Sequence, residues 1–273
     1  MSHVTTAGPA SSERLYGQDL TLAYDKRVIA EGLSLSIPDR SFTAIVGPNA
    51  CGKSTALRAL SRLLKPSQGA VYLDGEMIRS LPSKEVARRL GVLPQSSTAP
   101  DGISVSDLVA RGRHPHQRFM RQWSRTDEAA VARAMSDTKV TDLAGRLVDE
   151  LSGGQRQRVW LAMALAQQTP VLLLDEPTTF LDIAHQIEVL DLCAQLHEES
   201  GRTLVAVLHD LNHACRYADH LIAMRDGSVV AEGNPGEIVT AELIEDVFGL
   251  RARVIPDPET GTPLVVPLAR RRA

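Results

Sequence analysis

Cysteine is scarce in this 273-residue sequence. The three present, Cys51, Cys193 and Cys215, form no CxxC pair and no even-numbered framework, which argues against a disulfide-stapled fold and for a reducing cytoplasm. Aromatic residues are also few, at 4%. Leu, Val and Ala supply the apolar bulk instead, a composition suited to helices packed on a buried sheet. No apolar run approaches the roughly 20 residues of a spanning helix; the longest lies near Val159–Ala166, so no bilayer crossing is expected. Met1–Arg14 is rich in Ser, Thr and Ala without an apolar stretch, unlike a secretion signal or an anchor. Excess positive charge is lacking too: the net charge is −3, which argues against a nucleic-acid or anionic-membrane binder working through bulk potential. What is present, 43% apolar and 23% charged residues, is enough for a sizeable core in one large or two small domains, so disorder is excluded as the main state.

Short apolar runs bounded by turn residues alternate with helical patterns, which predicts an α/β protein with a largely parallel sheet. Strands are expected at Phe42–Val46, Arg89–Leu93, Val171–Leu174, Thr203–Leu208 and Leu221–Met224, with Asp226-Gly227 turning a hairpin into Val229–Ala231. Helices are expected over Lys53–Leu64, with Leu57, Leu60 and Leu64 on one face, and from Ile183 to near Gly201, with Ile183, Ile187, Leu190 and Ala194 facing the sheet. Residues 1–13 read as a tail and 269–273 as a basic end. The stretch from Ser96 to Glu150 is helical and charged, and reads as an insert.

Gly47-Pro48-Asn49-Ala50-Cys51-Gly52-Lys53-Ser54-Thr55 fits GxxxxGK[ST] between a predicted strand and a predicted helix. The glycines let backbone wrap a phosphate, and the helix start offers free N–H groups. Lys53 would reach the β- and γ-phosphates, and the Ser54 hydroxyl would ligate Mg²⁺. The apolar strand Val171–Leu174 runs into Asp175-Glu176. Paired acids at the end of a buried strand call for a cation, because an unpaired buried charge is expensive. Asp175 can hold Mg²⁺ and Glu176 can orient and deprotonate a water. A second glycine-lined helix start, Leu151-Ser152-Gly153-Gly154-Gln155, adds a hydroxyl and an amide as donors and forms a second anion site.

In this order, GPNACGKST, LSGGQRQR and LLLDEPTTFLD resemble the motifs of the ATP-binding subunit of ABC transporters, over roughly residues 15–268. The resemblance implies a P-loop NTPase (RecA-like) α/β core with an antiparallel β subdomain and an inserted α-helical subdomain. The ABC ATPase domain would span 14–268, with 14–95 and 156–268 forming the core and β subdomain and 96–155 the helical one. It implies an ATP hydrolase using ATP and Mg²⁺, held at the cytoplasmic face of the cell membrane by permease subunits and served indirectly by a substrate-binding protein. Nucleic acid is not an expected partner. In the family two copies face head to tail, so Gly47 to Thr55 of one and Ser152, Gly153, Gly154 and Gln155 of the other clamp one ATP.

Tyr24 looks like the aromatic that stacks on adenine. Gln95 looks like the glutamine that touches Mg²⁺ and the water and links the site to the membrane subunits; Ser54 and Asp175 complete the expected metal set. Glu176 and His209 are the expected catalytic pair, His209 contacting the γ-phosphate, and Asp182 looks like the acid that communicates across the dimer. Ala50, Cys51 and Phe180 depart from the commoner residues at their positions. Val109–Arg113, His114-Pro115-His116, Thr178–Ile187 and Val254–Val265 resemble ATPases of iron(III)-siderophore uptake, relatives of the vitamin B12 and haem importers. The ATPase subunit of another importer (vitamin B12, haem) is the alternative reading. A non-transport ABC ATPase and a non-hydrolysing nucleotide-binding module are the other classes; the first usually carries long coiled coils or tandem cassettes, and Glu176 and His209 count against the second.

Three further features have plain readings. The run Arg111, Arg113, Arg118, Arg121 and Arg125 is read as a solvated face, or else as a docking surface for a permease. Cys193/His197 and His209/His213 have i, i+4 spacing, but His209 ends a strand, and a buried Cys beside a surface His is commoner than a metal site. Cys51 lies at a helix start, where a thiolate is favoured, so thiol reagents are expected to inactivate the protein.

Overall fold

A computed structural model describes residues 13–25, 27–95, 98–117, 123–179 and 181–268. The tails other than Glu13, and Arg118, Arg121 and Phe180, lie outside the described residues. The chain runs β1 (Glu13–Tyr24), β2 (Arg27–Pro38), β3 (Phe42–Val46), α1 (Lys53–Leu60), β4 (Gln68–Leu73), β5 (Glu76–Met77), α2 (Ser83–Arg89) and β6 (Leu90–Leu93). There follow α3 (Val105–Ala110), α4 (Arg125–Asp137), α5 (Gly153–Ala166), β7 (Val171–Asp175), α6 (Ile183–Ser200), β8 (Thr203–Val207), α7 (Leu211–Tyr217), β9 (His220–Arg225) and β10 (Ser228–Gly233). The last elements are α8 (Pro235–Ile238), α9 (Ala241–Phe248), β11 (Ala252–Pro256) and β12 (Pro263–Pro267).

The main sheet has the order β10-β9-β3-β8-β7-β6, parallel except for β10. Its central strands are buried on both faces, and their side chains divide by parity. Phe42, Ala44 and Val46, with Leu172, Leu174, Leu204 and Ala206, join a core containing α3 to α7. Ile45, Val171, Leu173, Val205 and Val207 face the other way, into a core with α1 and the antiparallel sheet β2-β1-β4-β5. Continuous apolar runs are what a strand covered on both sides requires. The same parity matters for the site: Asp175 follows Val171 and Leu173 onto the α1 side.

The strands arise where expected, with ends shifted by a residue or two; Arg89 closes α2 rather than opening β6. Positive φ at Asp226 (48°) and Gly227 (80°) gives the β9–β10 turn the form a two-residue hairpin favours. Helix α1 stops at Leu60, short of the expected Leu64, because Arg62 turns into the left-handed region (φ 65°) and the Leu64 N–H closes back on the Arg58 carbonyl at 2.9 Å. The expected face of α6 is also corrected. Ile183 is 77% exposed, and the buried stripe runs through Val189, Leu190, Cys193 and Leu196. Asp182 caps this helix by accepting the His185 N–H at 2.9 Å, so the chain enters from the surface and its first turn does not reach the core.

The arginine run needs a sharper correction. Arg111 and Arg125 are exposed, but Arg113 is 4% exposed and paired with Asp127 at 2.9 Å. It lies in a 3-10 turn, Arg111–His116, pressed on α5 so closely that a Cβ at Gly112 would sit 2.2 Å from the Met163 carbonyl oxygen. The segment Val254–Val265 forms most of the C-terminal hairpin β11–β12. Among the described residues no helix is long and apolar enough to cross a membrane.

Candidate active site

The phosphate loop leaves β3 at Gly47 and enters α1 at Lys53. Gly47 has φ 151°, and a Cβ there would lie 2.1 Å from the Met224 carbonyl oxygen, so only glycine fits. Gly52 (φ 105°) caps α1 without any side-chain hydrogen bond, which leaves the first-turn N–H groups open to an anion. Lys53 is buried and its Nζ donates to the carbonyls of Gly47 and Pro48 at 2.8 Å each. The ammonium therefore lies inside the loop with carbonyl partners that a phosphate oxygen, carrying full charge, can outcompete.

Ala50 adopts φ 62°, a conformation costing an L-residue about 1–2 kcal/mol. Replacing Ala50 by glycine relieves that strain and loses part of the gain to chain entropy, so Ala50→Gly is expected to raise the unfolding free energy by up to about 1 kcal/mol. Denaturant titration measures this, and a less stable variant contradicts it. Cys51 corrects the thiolate expectation. It is buried, and burial pushes its thiol up against the opposing pull of the Lys53 charge.

At the end of β7, the Ser54 hydroxyl donates to Asp175 Oδ1 at 2.7 Å. Asp175 is 1% exposed, and its Oδ2 is buried with no hydrogen-bond partner among the described residues. Burial, helped by the neighbouring Glu176 charge, lifts the Asp175 carboxyl above its usual range against the Ser54 hydrogen bond. A buried carboxylate oxygen left open beside a hydroxyl is a donor set that suits a hard divalent cation.

Glu176, the next residue, leaves the strand with φ 54°. Such a left-handed non-glycine residue costs about 1–3 kcal/mol and is typical of functional positions. The turn brings its carboxylate to Gln95, whose Nε2 donates to Oε2 at 2.7 Å, and to His209, whose Nε2 lies 2.9 Å from Oε1. The Thr179 hydroxyl also donates to Oε2, at 3.1 Å. Burial acts to raise this carboxyl, but the hydrogen bonds and charge from His209, with Gln95 and Thr179, outweigh it and hold Glu176 below the usual range. Ser54, Gln95, Asp175, Glu176 and His209 thus form one cluster behind the phosphate loop. Thr179 belongs to it and went unread, because its role depends on the turn at Glu176.

The other expected residues lie apart from this cluster. Tyr24, 39% exposed at the end of β1, accepts a hydrogen bond from Arg58 at 3.1 Å. Ser152 and Gln155 form a capping box on α5: the Ser152 Oγ accepts the Gln155 N–H at 3.3 Å and the Gln155 Oε1 accepts the Ser152 N–H at 3.2 Å. Each side chain spends only an acceptor, so the hydroxyl hydrogen and the amide NH₂ stay available. Among the described residues no hydrogen bond or ion pair joins 152–155 to the phosphate loop. Asp182 is exposed and accepts from both the N–H and Nδ1 of His185, at 2.9 and 2.7 Å, which hold its carboxyl below the usual range. His197 is engaged by the Arg202 carbonyl (2.9 Å) and Asp219 (3.1 Å), and burial pushes the Cys193 and Cys215 thiols up to about 12.

A P-loop α/β core with this carboxylate cluster defines a class, and comparison with known proteins agrees. The family model described as ABC transporter matches residues 30–179, and the chain belongs to that family. It is 61% identical over 260 residues, 95% of this chain and 96% of the relative, to the ferric enterobactin transport ATP-binding protein FepC of Escherichia coli (strain K12). It is 50% identical over 253 residues, 93% of each chain, to the petrobactin import ATP-binding protein FpuD of Bacillus anthracis. Among solved structures it resembles the dimeric post-hydrolysis state of the ATP-binding cassette MJ0796 bound to ADP and Pi, with TM-score 0.72 and 28% identity over 81% of this chain and 98% of that one.

Proposed function

We propose that this chain is the ATP-binding and hydrolysing subunit that energises import of an iron(III)-siderophore complex through a separate permease. One observation carries the hydrolysis: Glu176, kept ionised by His209 and Gln95, stands next to Asp175 and Ser54 behind an open helix start. The cargo class rests on near full-length similarity to the ferric enterobactin and petrobactin ATP-binding proteins.

ATP binds with its phosphates in the loop Gly47–Thr55, where Lys53 exchanges carbonyl partners for phosphate oxygens and the α1 N–H groups face the charge. Tyr24 stacks on the adenine. Ser54, Asp175 and Gln95 would hold Mg²⁺, and the chemistry the ion supplies when bound is neutralisation of the phosphate charge. Glu176 is ionised at neutral pH, so it can orient a water and take its proton. Gln95 and His209, which both hold Glu176 here, gain the water and the γ-phosphate as competing partners.

Donors on Ser152 and Gln155 that lie away from the chain's own loop support a head-to-tail dimer, in which they close on the partner's nucleotide while Asp182 faces the second copy. Core and β subdomain are taken as 14–95 and 156–268, with 96–155 as the helical subdomain. The subunit lies at the cytoplasmic face of the membrane, bound to the permease, and responds to a substrate-binding protein. The test is co-purification with the permease and ATPase assay with the binding protein added. Stimulation by the iron-siderophore-loaded form over the empty form is expected. Equal rates with both forms contradict the assignment.

A further inference from the structure

His209 sits between two fixed points. On the strand side, the Leu208 N–H is locked to the Ile45 carbonyl at 3.1 Å. On the helix side, Asp210 caps α7 by accepting the N–H groups of Asn212 (2.8 Å) and His213 (3.1 Å). Helix α7 is buried in the main core through Ala214 and Cys215 and tied to α6 by the Tyr217 hydroxyl, which donates to Asp191 at 2.7 Å. Its remaining face is tied to the C-terminal hairpin. The Asn212 side chain meets Val265 on both sides: its Oδ1 accepts the Val265 N–H at 2.7 Å and its Nδ2 donates to the Val265 carbonyl at 3.3 Å. Val265 pairs with Val254 across β11–β12, yet its own N–H and C=O point outward, so Asn212 acts as one residue of an added strand. One helical turn on, Arg216 donates to Asp257 at 3.1 Å and Glu259 at 3.3 Å in the hairpin loop. Asp257 is itself fixed, accepting the N–H groups of Glu259 and Thr260. One face of α7 is therefore tied at both ends to a hairpin that lies beyond residues 30–179 of the family match.

We infer that Asn212 is a positioning residue for hydrolysis: it clamps α7 to the C-terminal hairpin and thereby sets where His209 stands relative to Glu176 and the γ-phosphate. The inference rests on the ATPase reading above. Among the described residues Asn212 makes no hydrogen bond to the phosphate loop, so its loss is expected to act on turnover and not on ATP affinity. With the Asn212 tie cut and the Arg216 tie still in place, the start of α7 can shift by fractions of an ångström, and His209 with it. Because misplacement by 1 Å can cost about 10²-fold in rate, a partial loosening is expected to cost about tenfold.

The experiment is Mg²⁺-dependent ATP hydrolysis by the full-length chain for the parent, Asn212→Ala, Asn212→Asp, His209→Ala and the His209→Ala/Asn212→Ala double variant. Asn212→Ala is expected to lower kcat about tenfold with KM for ATP within about twofold, since ground-state binding is untouched. Asn212→Asp keeps the acceptor for the Val265 N–H and is expected to fall between it and the parent. In the His209→Ala background Asn212→Ala should cost nothing further, a non-additivity that a general loss of stability does not produce. Parental rates in both Asn212 variants, a change in KM alone, or an undiminished loss in the His209→Ala background each overturn the inference. Absence of ATPase activity in the parent overturns the functional reading, and this inference with it.

Discussion

Glu176→Gln is expected to leave ATP binding unchanged and to lower kcat by about 10²- to 10⁴-fold, the range lost when a positioned general base is removed. Glutamine has the same shape and can still accept hydrogen bonds from Gln95 and Thr179, which now reach Oε2 at 2.7 and 3.1 Å. What it loses is the charge facing His209 at 2.9 Å and the capacity to take a proton from water. The phosphate loop and Lys53, which bind the nucleotide, are left alone. The effect should therefore fall on kcat and kcat/KM together, as for an interaction made only in the transition state. Steady-state kinetics with a direct ATP-binding measurement checks this. Turnover within a few-fold of the parent contradicts the role given to Glu176.

Arg113→Ala is expected to destabilise the fold by about 3–5 kcal/mol, the cost of leaving a buried charge without its partner. Arg113 Nε donates to Asp127 at 2.9 Å, and its NH1 donates to the Ala166 carbonyl at 2.8 Å and to Gln168 at 3.0 Å. One guanidinium thus ties the 3-10 turn Arg111–His116 to the start of α4 and the end of α5. Asp127 also closes the α4 capping box with Ser124. The Ser124 hydroxyl foremost, then Arg113 against the effect of burial, hold the Asp127 carboxyl below its usual range. A lowered carboxylate contributes stability that is present above the unfolded-state pKa and is lost as pH falls through the folded one. The melting gap between parent and Asp127→Asn should therefore narrow toward acid. Replacing both partners by apolar residues is expected to cost far less than removing either, because no charge is stranded. Thermal melts decide this, at roughly 2–4 °C per kcal/mol for domains of 150–250 residues. An Arg113→Ala melt matching the parent contradicts the burial argument.

The parts of the molecule legible in the sequence were those where chemistry forces residue type at fixed spacing. Gly47, Gly52, Lys53 and Ser54 announce a phosphate loop because only those residues fit its backbone and donors. Val171–Glu176 reads as a buried strand ending in acids because both faces must be apolar. The antiparallel sheet was harder to read from pattern. In β1 the buried positions are Leu15 and Gly17, then Leu20 and Leu22, and the parity slips at Asp19, where φ is 49° and the pairing with β2 shifts register. A bulge of this kind breaks the period-2 signal. The second strand slips likewise between Ala30 and Leu33, around Gly32 (φ 65°). Arg113 was misread because an arginine in a basic run is usually solvated, and nothing local shows that Asp127, one element away, lies opposite. Thr179 and Asn212 depend on tertiary contacts, with a turned Glu176 and with a hairpin 53 residues further on.

The assignment of cargo and direction is tested most directly by uptake of radiolabelled iron(III) carried on a siderophore, in cells from which this chain has been deleted. The account predicts that uptake is lost, returns with the parent chain, and does not return with Glu176→Gln. Uptake that survives the deletion, or that Glu176→Gln restores in full, contradicts it.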